Sequence, residues 1–543
     1  MKKEFIYLFI LIFPIFFASR ALFHAGFFRT VDDISVVRIN YMEKELRRNN
    51  WLNNFPVRLS GELSNNYGYP LYLFYAPLTY YAGAILKILF PLSHIVATKY
   101  IYVFPLIFGP FAFYFAARQK MRPFPALVAS TFFTLFPYRG FNTYVRGAVA
   151  EAWAISFMPL AFGGLFLLQK KKPVGAVIFA LSCFLILVSH NIVGFLFLGF
   201  TFVYGLLFFL KNKNFWKYLF LALGMSAFFL IPMLYYLKVI RVTYLDVNTT
   251  YILGTLIPAD KLLNIQKERS LYGEGLLMGI SGILFPFIVG GLIYYGYKKY
   301  TRHKIFREKF FWGISALILY ILLFKPFEFF WQMTMPVTGI LQFTWRLLAL
   351  LAFIIPLFLG LWINDISSLF VKSALTVAVV VSCIIFTANF KPEAYSYFYE
   401  YQPEGLCATT SNQDEYLPIW VKGCPPPRTP LEISSKGSIK ITEDNSLTVK
   451  ADVAVEKPGE LRINKFYFPG WHVLVDGEES QLDYNFSKDG IFRTSLSPGE
   501  HQVEVVYKKT EIMWLSDLFS LTSFSILLYK LWKLRPAHKA IRR

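Results

Sequence analysis

Residues 1–33 read MKKEFIYLFILIFPIFFASRALFHAGFFRTVDD: a basic start, an apolar run and then two adjacent carboxylates. The run near 4–20 has the character of a membrane-spanning helix. Because basic residues favour the cytoplasmic side, Met1-Lys2-Lys3 predicts a cytoplasmic start and an exit to the outer side. Asp32 and Asp33 then follow just beyond the membrane, where paired carboxylates are costly unless they are solvated, paired or used.

The composition of the whole chain agrees with this start. Of 543 residues, 55% are hydrophobic and 16% are charged, with a mean hydropathy of +0.45, which is typical of a polytopic membrane protein. The net charge of +21 does not indicate a nucleic-acid-binding protein, because residues 391–510 carry 13 basic and 18 acidic side chains. The positive charge lies instead in short clusters between apolar runs, as in cytoplasmic loops. These are Arg118–Arg122, Lys170–Lys172, Lys211–Lys217, Lys298–Lys309 and Lys530–Arg543.

Twelve apolar runs predict about twelve transmembrane helices with both termini in the cytoplasm. They lie near 4–20, 98–117, 124–138, 152–168, 174–190, 191–210, 218–236, 274–297, 310–324, 341–362, 374–389 and 512–530. Counting residues 71–90 as a further crossing would place the later basic clusters outside. Pro77, Lys87 and several tyrosines favour a re-entrant or interfacial helix there, within one outer loop of residues 21–97. A cleaved signal peptide, which the small residues around Ala18 would allow, also leaves residue 21 outside.

Residues 391–511 predict an extracytoplasmic all-β domain between a transmembrane region (1–390) and a final helix with a basic tail (512–543). Alternating apolar and polar residues, with turn dipeptides such as Asp476-Gly477, are typical of a small β-sandwich. The predicted strands are Leu447–Val455, Glu460–Phe468, His472–Val475, Ile491–Ser495 and Gln502–Tyr507. A binding or scaffolding role is the simplest interpretation of such a domain.

The four cysteines indicate little chemistry. Cys407 and Cys424 lie in the polar region and are candidates for a disulfide if that region is extracytoplasmic. Cys183 and Cys383 lie in apolar runs, where cysteine packs as a small hydrophobe. The sequence has no C-x-x-C or H-E-x-x-H motif, so a structural zinc site or a zincin is not expected.

The predicted outer face carries the candidate catalytic residues. Asp32 or Asp33 could act as a general base toward an acceptor, or hold a divalent cation against a phosphate. The alternative is that the pair only caps the helix Ile34 to Arg48. Glu151, at the start of a span, is a second candidate acid, for the acceptor or for a metal. Its alternative role is that of a partly solvated boundary residue.

Several basic and aromatic residues of this face are candidates for binding phosphate or substrate. Arg146 could clamp a phosphate, and its five-residue separation from Glu151 argues against an i, i+4 pair; the alternative is a snorkelling arginine. Arg346 lies one turn into apolar sequence, where a cation needs an anionic partner or an aqueous cavity. A phosphate is one candidate partner and Glu328 is the other. His190 is a further candidate, although a lone histidine is more often structural. The other candidates, which belong to the outer loop, are Arg38, Tyr69 and Tyr75.

At these residues the chain resembles the GT-C superfamily of integral membrane glycosyltransferases. More narrowly, it resembles the membrane proteins labelled "6-pyruvoyl-tetrahydropterin synthase-related", with an outer domain similar to that of YfhO-type proteins. The segments that carry the resemblance are Asp33 with Arg38, Gly68-Tyr69-Pro70, Phe74-Tyr75-Ala76-Pro77-Leu78, Tyr144 to Glu151, Ser189-His190-Asn191, Gln342-Phe343, Trp345-Arg346, Glu415-Tyr416-Leu417-Pro418, Phe468-Pro469-Gly470-Trp471 and Val475-Asp476-Gly477. The resemblance implies that Asp33 (or Asp32) and Glu151 are the acids, and that Arg146 and Arg346 bind phosphate.

The function hypothesis is an inverting transferase in the cytoplasmic membrane. It would move a sugar from a polyprenyl-phosphate donor to a glycan, lipid or protein acceptor at the outer face. A divalent cation, Mg²⁺ or Mn²⁺, is a candidate cofactor, held by Asp33 and Glu151. Two alternatives stay open: a lipid or polysaccharide transporter, which predicts a polar path through the spans, and a non-catalytic cell-envelope assembly protein.

Overall fold

The computed structural model describes residues 2–28, 30, 34–49, 51–242, 252–262, 281–301, 307–392, 394–396, 407–410 and 414–534. Asp32 and Asp33 lie outside these residues. Helices form most of the described chain. Their bounds are Lys2–Ser19, Ser35–Arg47, Leu71–Phe74, Leu78–Leu89, His94–Arg118, Pro123–Thr134, Pro137–Phe141, Val149–Gln169, Val174–Ser189, Asn191–Phe208, Lys213–Met225, Ala227–Tyr236, Ser281–Thr301, Arg307–Ile321, Glu328–Thr338, Leu347–Asp365, Leu369–Phe386 and Glu511–Lys533.

Seven helical segments of the described residues are long and apolar enough to cross a membrane. They are Glu4–Phe23, His94–Arg118, Val149–Gln169, Asn191–Phe208, Thr344–Asp365, Leu369–Asn389 and Glu511–Lys533. A helix pair bent by 66°, Lys213–Met225 with Ala227–Val239, raises the number to eight if it forms one span. The chain is therefore a multi-pass helical protein with a β region near its C-terminal end.

The predicted number of twelve crossings is not confirmed. Some of the predicted runs form helices that are short for a span, such as Pro123–Thr134 with 12 residues, Val174–Ser189 with 16 and Arg307–Ile321 with 15. At about 1.5 Å per residue, these helices fall short of the roughly 30 Å of a hydrocarbon core. The run near 274–297 begins outside the described residues.

The stretch 71–90 forms two short helices, Leu71–Phe74 and Leu78–Leu89, rather than one long one. Pro77 separates them because a proline has no N–H to donate and disfavours a helical residue before it. The second helix has 12 residues, fewer than the roughly 20 that a crossing needs. A re-entrant or interfacial position stays the prediction for this stretch.

Several of the basic clusters meet at one end of the helical bundle. Arg118 Nη2 contacts Glu4 Oε1 at 2.6 Å, and Lys120 Nζ contacts Glu308 Oε2 at 2.7 Å. Lys170 Nζ donates to Gln119 Oε1 at 3.3 Å. This arrangement agrees with the predicted parity of the loops, while the side of the membrane on which they lie stays a prediction.

Eight strands between Leu431 and Tyr507 form two antiparallel sheets. They are β3 Leu431–Ile433, β4 Gly437–Asp444, β5 Thr448–Val455, β6 Gly459–Ile463, β7 Trp471–Val475, β8 Glu478–Glu479, β9 Phe492–Leu496 and β10 Gly499–Tyr507. The sheet orders are β4-β5-β10-β7-β8 and β3-β6-β9. A further small sheet pairs β1, Phe27–Phe28, with β2, Tyr395–Ser396. Val453 and Val503 of the larger sheet share one hydrophobic cluster with Leu461 and Phe492 of the smaller sheet, so the two sheets enclose a common core.

Each of the five predicted strands corresponds to an observed strand, although the one predicted over Glu460–Phe468 ends at Ile463. The prediction missed β3, β4 and β8. The strand β4 lies at the edge of its sheet and is mostly exposed. Its alternation of Ile439 and Ile441 with polar residues was the signal that could have revealed it.

The β region packs on the first large loop of the chain. Phe466 N donates to Tyr67 O at 2.7 Å, and the rings of these residues stack with centroids 5.0 Å apart. Lys465 Nζ donates to Asn66 O at 2.7 Å. We use the term β end for the end of the helical bundle that carries this region.

Candidate functional site

The candidate site is built on residues 137–151, where the backbone passes from a short α-helix through a π-helical turn and a left-handed glycine into the next α-helix. A short helix, Pro137–Phe141, leads into a single π-helical turn, Asn142–Arg146. Gly147 then adopts φ +74°, and the span begins at Val149. A Cβ atom at Gly147 would lie 2.2 Å from Thr30 Oγ1, so a larger residue does not fit. This turn brings Arg146 back over the first turn of the span.

Arg146 and Glu151 form a buried ion pair, although their separation of five residues does not allow a regular i, i+4 helical pair. Arg146 Nη1 donates to Glu151 Oε2 at 3.0 Å, while Glu151 Oε1 accepts from Tyr138 OH at 2.5 Å. The separation of five residues works because the π-helical turn and the left-handed Gly147 replace regular α-helix between them. Glu151 is 0% exposed and Arg146 is 9% exposed. Neither of the alternatives weighed from the sequence, a snorkelling arginine and a solvated glutamate, agrees with this burial.

Two buried donors beside this pair have no hydrogen-bond partner among the described residues. They are Nδ2 of Asn142 and Nε of Arg346. Asn142 Oδ1 accepts from Arg146 Nη1 at 3.2 Å, which places the Asn142 amide next to the ion pair. Arg346 acts electrostatically on Glu151 and donates through Nη1 to Leu341 O at 2.9 Å. Unsatisfied buried donors are uncommon in native proteins, so these two atoms distinguish the site from most buried polar groups.

Glu328 does not neutralise Arg346 in the described chain. The Glu328 carboxylate accepts instead from Gln332 within its own helix, at 3.1 Å. Among the described residues, Glu151 is the acid that acts electrostatically on Arg346, and the same carboxylate forms an ion pair with Arg146. Two arginines therefore share one buried carboxylate in the described part of the site.

His190 joins this group from the turn between two helices. Its Nδ1 accepts from Val193 N at 3.1 Å and caps the helix Asn191–Phe208, so the proton of the neutral ring is on Nε2. Burial, reinforced by Arg346 and Arg146 and opposed by Glu151, lowers the pKa of His190 to about 3. A neutral His190 can donate a hydrogen bond through Nε2 but does not act as a cationic acid near neutral pH.

Arg38, Tyr69 and Tyr75 lie beside the site but are engaged by protein groups. Arg38 donates from Nε to Thr410 Oγ1 at 3.2 Å and from Nη2 to Thr410 O at 2.7 Å. Its guanidinium lies 4.2 Å from the ring centroid of Tyr75. Tyr69 OH donates to the backbone oxygen of Glu415. The predicted role of Arg38 and Tyr69 in binding phosphate or substrate stays a proposal, which these contacts do not favour.

Sequence reasoning missed Tyr138, Asn142 and Arg139 as members of this region. Tyr138 and Asn142 contact the ion pair directly. Arg139, 4% exposed, donates to the backbone oxygen of Pro105 at 2.7 Å and lies over the Phe133 ring. A signal was present, because Tyr138-Arg139 and Asn142 are polar residues beside an apolar run and a charged boundary.

The described residues of the site do not fit a divalent cation. Both carboxylate oxygens of Glu151 accept hydrogen bonds from other side chains, and two arginines repel added positive charge. A cation held by Asp33 together with Glu151 stays a prediction, since Asp33 lies outside the described residues. The atoms of Cys407, Asp414 and Cys424 also cluster within 4.8 Å. The sulfurs of that group are bonded to each other in a disulfide and offer no thiolate.

The expected disulfide between Cys407 and Cys424 is present, with Cα atoms 4.9 Å apart. Cys183 and Cys383 are buried free thiols in helices, as expected for packing residues.

No family model and no curated protein matches this chain. Several solved structures align with part of this chain. Arabinofuranosyltransferase AftD from Mycobacteria aligns with a TM-score of 0.49 and 14% identity over 74% of this chain and 28% of its own. The Archaeoglobus fulgidus oligosaccharyltransferase in its apo form aligns with a TM-score of 0.47 and 15% identity over 72% and 56%. The same organism's oligosaccharyltransferase AglB, bound to an inhibitory peptide and a dolichol-phosphate, gives 0.46 and 15% over 73% and 57%.

These neighbours are glycosyltransferases by name, and this chain spans between 28% and 57% of their lengths. Because the TM-scores lie below 0.5 and the identities are 14–15%, these alignments assign no function to this chain. The narrower family resemblances drawn from the sequence stay predictions.

Proposed function

We propose that this protein is a membrane glycosyltransferase that takes its sugar from a polyprenyl-phosphate donor. The observation that carries the proposal is the pair of buried donors without a hydrogen-bond partner among the described residues, Nδ2 of Asn142 and Nε of Arg346. Both side chains lie beside Glu151 at the start of a span, where Arg146 and Arg346 act on the same carboxylate. A phosphate oxygen at this position would accept hydrogen bonds from these donors.

The location of the site supports the proposal of a lipid-linked phosphate rather than a soluble one. Glu151 lies in the first turn of the span Val149–Gln169, and Arg346 precedes the helix of the span Thr344–Asp365. A charged side chain at a membrane boundary is costly unless it meets a counter-ion or water. A donor whose tail lies in lipid delivers its phosphate to this level without leaving the bilayer.

The proposed reaction is a single displacement with inversion at the anomeric carbon. An acid of the first loop, Asp32 or Asp33, takes the proton of the acceptor group while its oxygen or nitrogen forms the new bond to C1. The bond between C1 and the phosphate oxygen breaks, and its electron pair leaves on the polyprenyl phosphate. Arg146 and Arg346 stabilise the charge that develops there. Thr30, which precedes Asp32 by two residues in the sequence, lies against Gly147 beside Arg146, and this contact supports the choice of a first-loop acid.

The test is sugar transfer by purified protein in lipid vesicles, from a panel of radiolabelled polyprenyl-phosphate sugars to mixed membrane-glycan acceptors. We compare wild type with Arg346→Gln, Glu151→Gln and Asp33→Asn. Arg493→Gln is the matched control, because Arg493 pairs with Glu460 and Asp483 on the β region, away from the site. Loss of transfer in the three site variants, with the control unchanged, supports the proposal.

Two other outcomes would redirect it. Donor binding that depends on Arg346 but leads to no transfer would favour the transporter. The non-catalytic assembly protein would be favoured if the protein neither binds the donor nor transfers its sugar, and if an Asp32→Ala/Asp33→Ala strain keeps its cell-surface glycan unchanged.

A further inference from the structure

A disulfide joins two stretches of chain that approach the site from the β end. We call residues 407–410 and 414–424 together the disulfide segment. Besides the Cys407–Cys424 bond, the Asp414 carboxylate accepts from Cys407 N at 3.2 Å and from Thr409 Oγ1 at 2.8 Å. The two stretches are therefore connected both covalently and by hydrogen bonds, and the segment acts as one unit.

This unit holds the first loop at several points. Thr410 accepts two hydrogen bonds from the Arg38 guanidinium, one on its hydroxyl and one on its backbone oxygen. The ring of Tyr416 stacks on that of Phe74 with centroids 5.6 Å apart. Ala408 O accepts from Ser64 N at 3.0 Å. The contacts come from residues far apart in sequence, so they fix the position of the loop relative to the β end.

Arg38 connects the disulfide segment to the site, because it contacts Tyr75, which in turn contacts His190. Its Nη1 donates to Tyr80 OH at 3.1 Å while its guanidinium lies against the Tyr75 ring. The Tyr75 ring in turn meets His190 edge-on, with centroids 6.3 Å apart. Arg38 is 7% exposed, and Nε, Nη1 and Nη2 all donate to protein groups. It is therefore better placed to hold Tyr75 than to bind a substrate.

We propose that the disulfide segment sets the position of Tyr75 against His190 through Arg38, which makes Arg38 a positioning residue. The meaning of this arrangement for catalysis rests on the proposed function, but the chain of contacts does not. Loss of either the disulfide or the guanidinium should loosen Tyr75 and open His190 to solvent.

The test is carbethoxylation of His190 by diethyl pyrocarbonate, followed residue by residue with mass spectrometry on the full-length protein in nanodiscs. The reagent attacks neutral imidazole, which is the form of His190 at neutral pH. The variants are Arg38→Gln, Cys407→Ser/Cys424→Ser and the milder Thr410→Val, with Arg493→Gln as the matched control. His472, on the surface of the β region beside Glu479, is the internal reference.

We expect the modification rate of His190 to rise about tenfold in Arg38→Gln and in the double serine variant, as local opening follows the loss of charged hydrogen bonds. The rate at His472 should stay constant. A His190 rate equal to wild type in both variants overturns the proposal. If His472 also reacts faster, the variant has loosened the whole fold, and the milder Thr410→Val variant is used instead. A higher modification rate of His190 in Thr410→Val supports the proposal, and a rate equal to that of wild type overturns it.

Labelling does not depend on catalysis, so the two proposals fail separately. Faster labelling of His190 in a protein without transferase activity would keep the positioning role and remove the proposed function. If transfer is found, Arg38→Gln should lower kcat more than it raises KM for the donor, since the Arg38 guanidinium donates to Thr410 and Tyr80.

Discussion

The Arg146 guanidinium and the Glu151 carboxylate are ion-paired at 3.0 Å where the span Val149–Gln169 begins. Two donors beside the pair, Nδ2 of Asn142 and Nε of Arg346, have no hydrogen-bond partner among the described residues. An anionic headgroup bound here would accept from both.

Breaking the ion pair should destabilise the protein more than removing it as a whole. Arg146→Met leaves Glu151 buried without its cation, and we expect a loss of about 3–5 kcal/mol in unfolding free energy. The double variant Arg146→Met/Glu151→Gln should lose clearly less than the sum of the single variants. Thermal unfolding in detergent across this cycle measures the coupling. Additive losses would show that the two residues do not interact.

Gly147→Ala should destabilise the site for two separable reasons. The left-handed backbone costs an alanine about 1–2 kcal/mol, and the new methyl group would collide with Thr30. Thr30→Gly in the same chain should restore the part that is due to collision and leave the backbone part. Gly199→Ala, which meets nothing within 4 Å, is the control and should be neutral or stabilising. Equal losses with and without Thr30→Gly would contradict the contact.

Acidification should weaken the fold through His190. Its folded pKa of about 3 lies below the ordinary value near 6.5, so the unfolded chain binds more protons between these values. Stability contributed by the neutral ring is complete above about pH 6.5 and is lost as the pH falls toward 3. Wild type should therefore lose more in Tm than His190→Asn over this window. Parallel curves for the two proteins would rule out a buried neutral His190.

Raising the pH above about 8 should stabilise the folded protein through Lys465, which contacts the first loop. Burial lowers the pKa of Lys465 to about 8, below its ordinary value near 10.5. The positive charge of Arg48 lowers this pKa further, and the nearby acids oppose the shift; they are Asp444, Glu45 and Glu62. Between these values the unfolded chain binds more protons, so stability rises as the pH increases from about 8 to 10.5. Lys465→Met should abolish this rise, as judged from unfolding midpoints at pH 7, 8, 9 and 10. A rise that persists in the variant would assign it to another group.

The sequence identified more of the fold than of the site. Apolar runs and basic clusters indicated a helical membrane protein, and alternation located five of the strands. The number of membrane crossings could not be predicted from these runs, because a run of apolar residues does not show where a helix such as Val174–Ser189 ends. Arg146, Glu151, His190 and Arg346 were each recognisable as polar groups beside apolar sequence, which is costly in any fold.

Hydrophobicity and charge belong to each residue wherever it lies. The class of protein, and the few polar residues that are costly at a membrane boundary, could therefore be predicted from the chain alone. The partner of each of these residues could not be predicted, because it depends on the folded structure. Arg146 meets Glu151 because a π-helical turn and Gly147 bend the backbone, and Arg38 meets Thr410 across 372 residues. Such contacts depend on backbone geometry and on long-range packing, and no local pattern in the sequence records them.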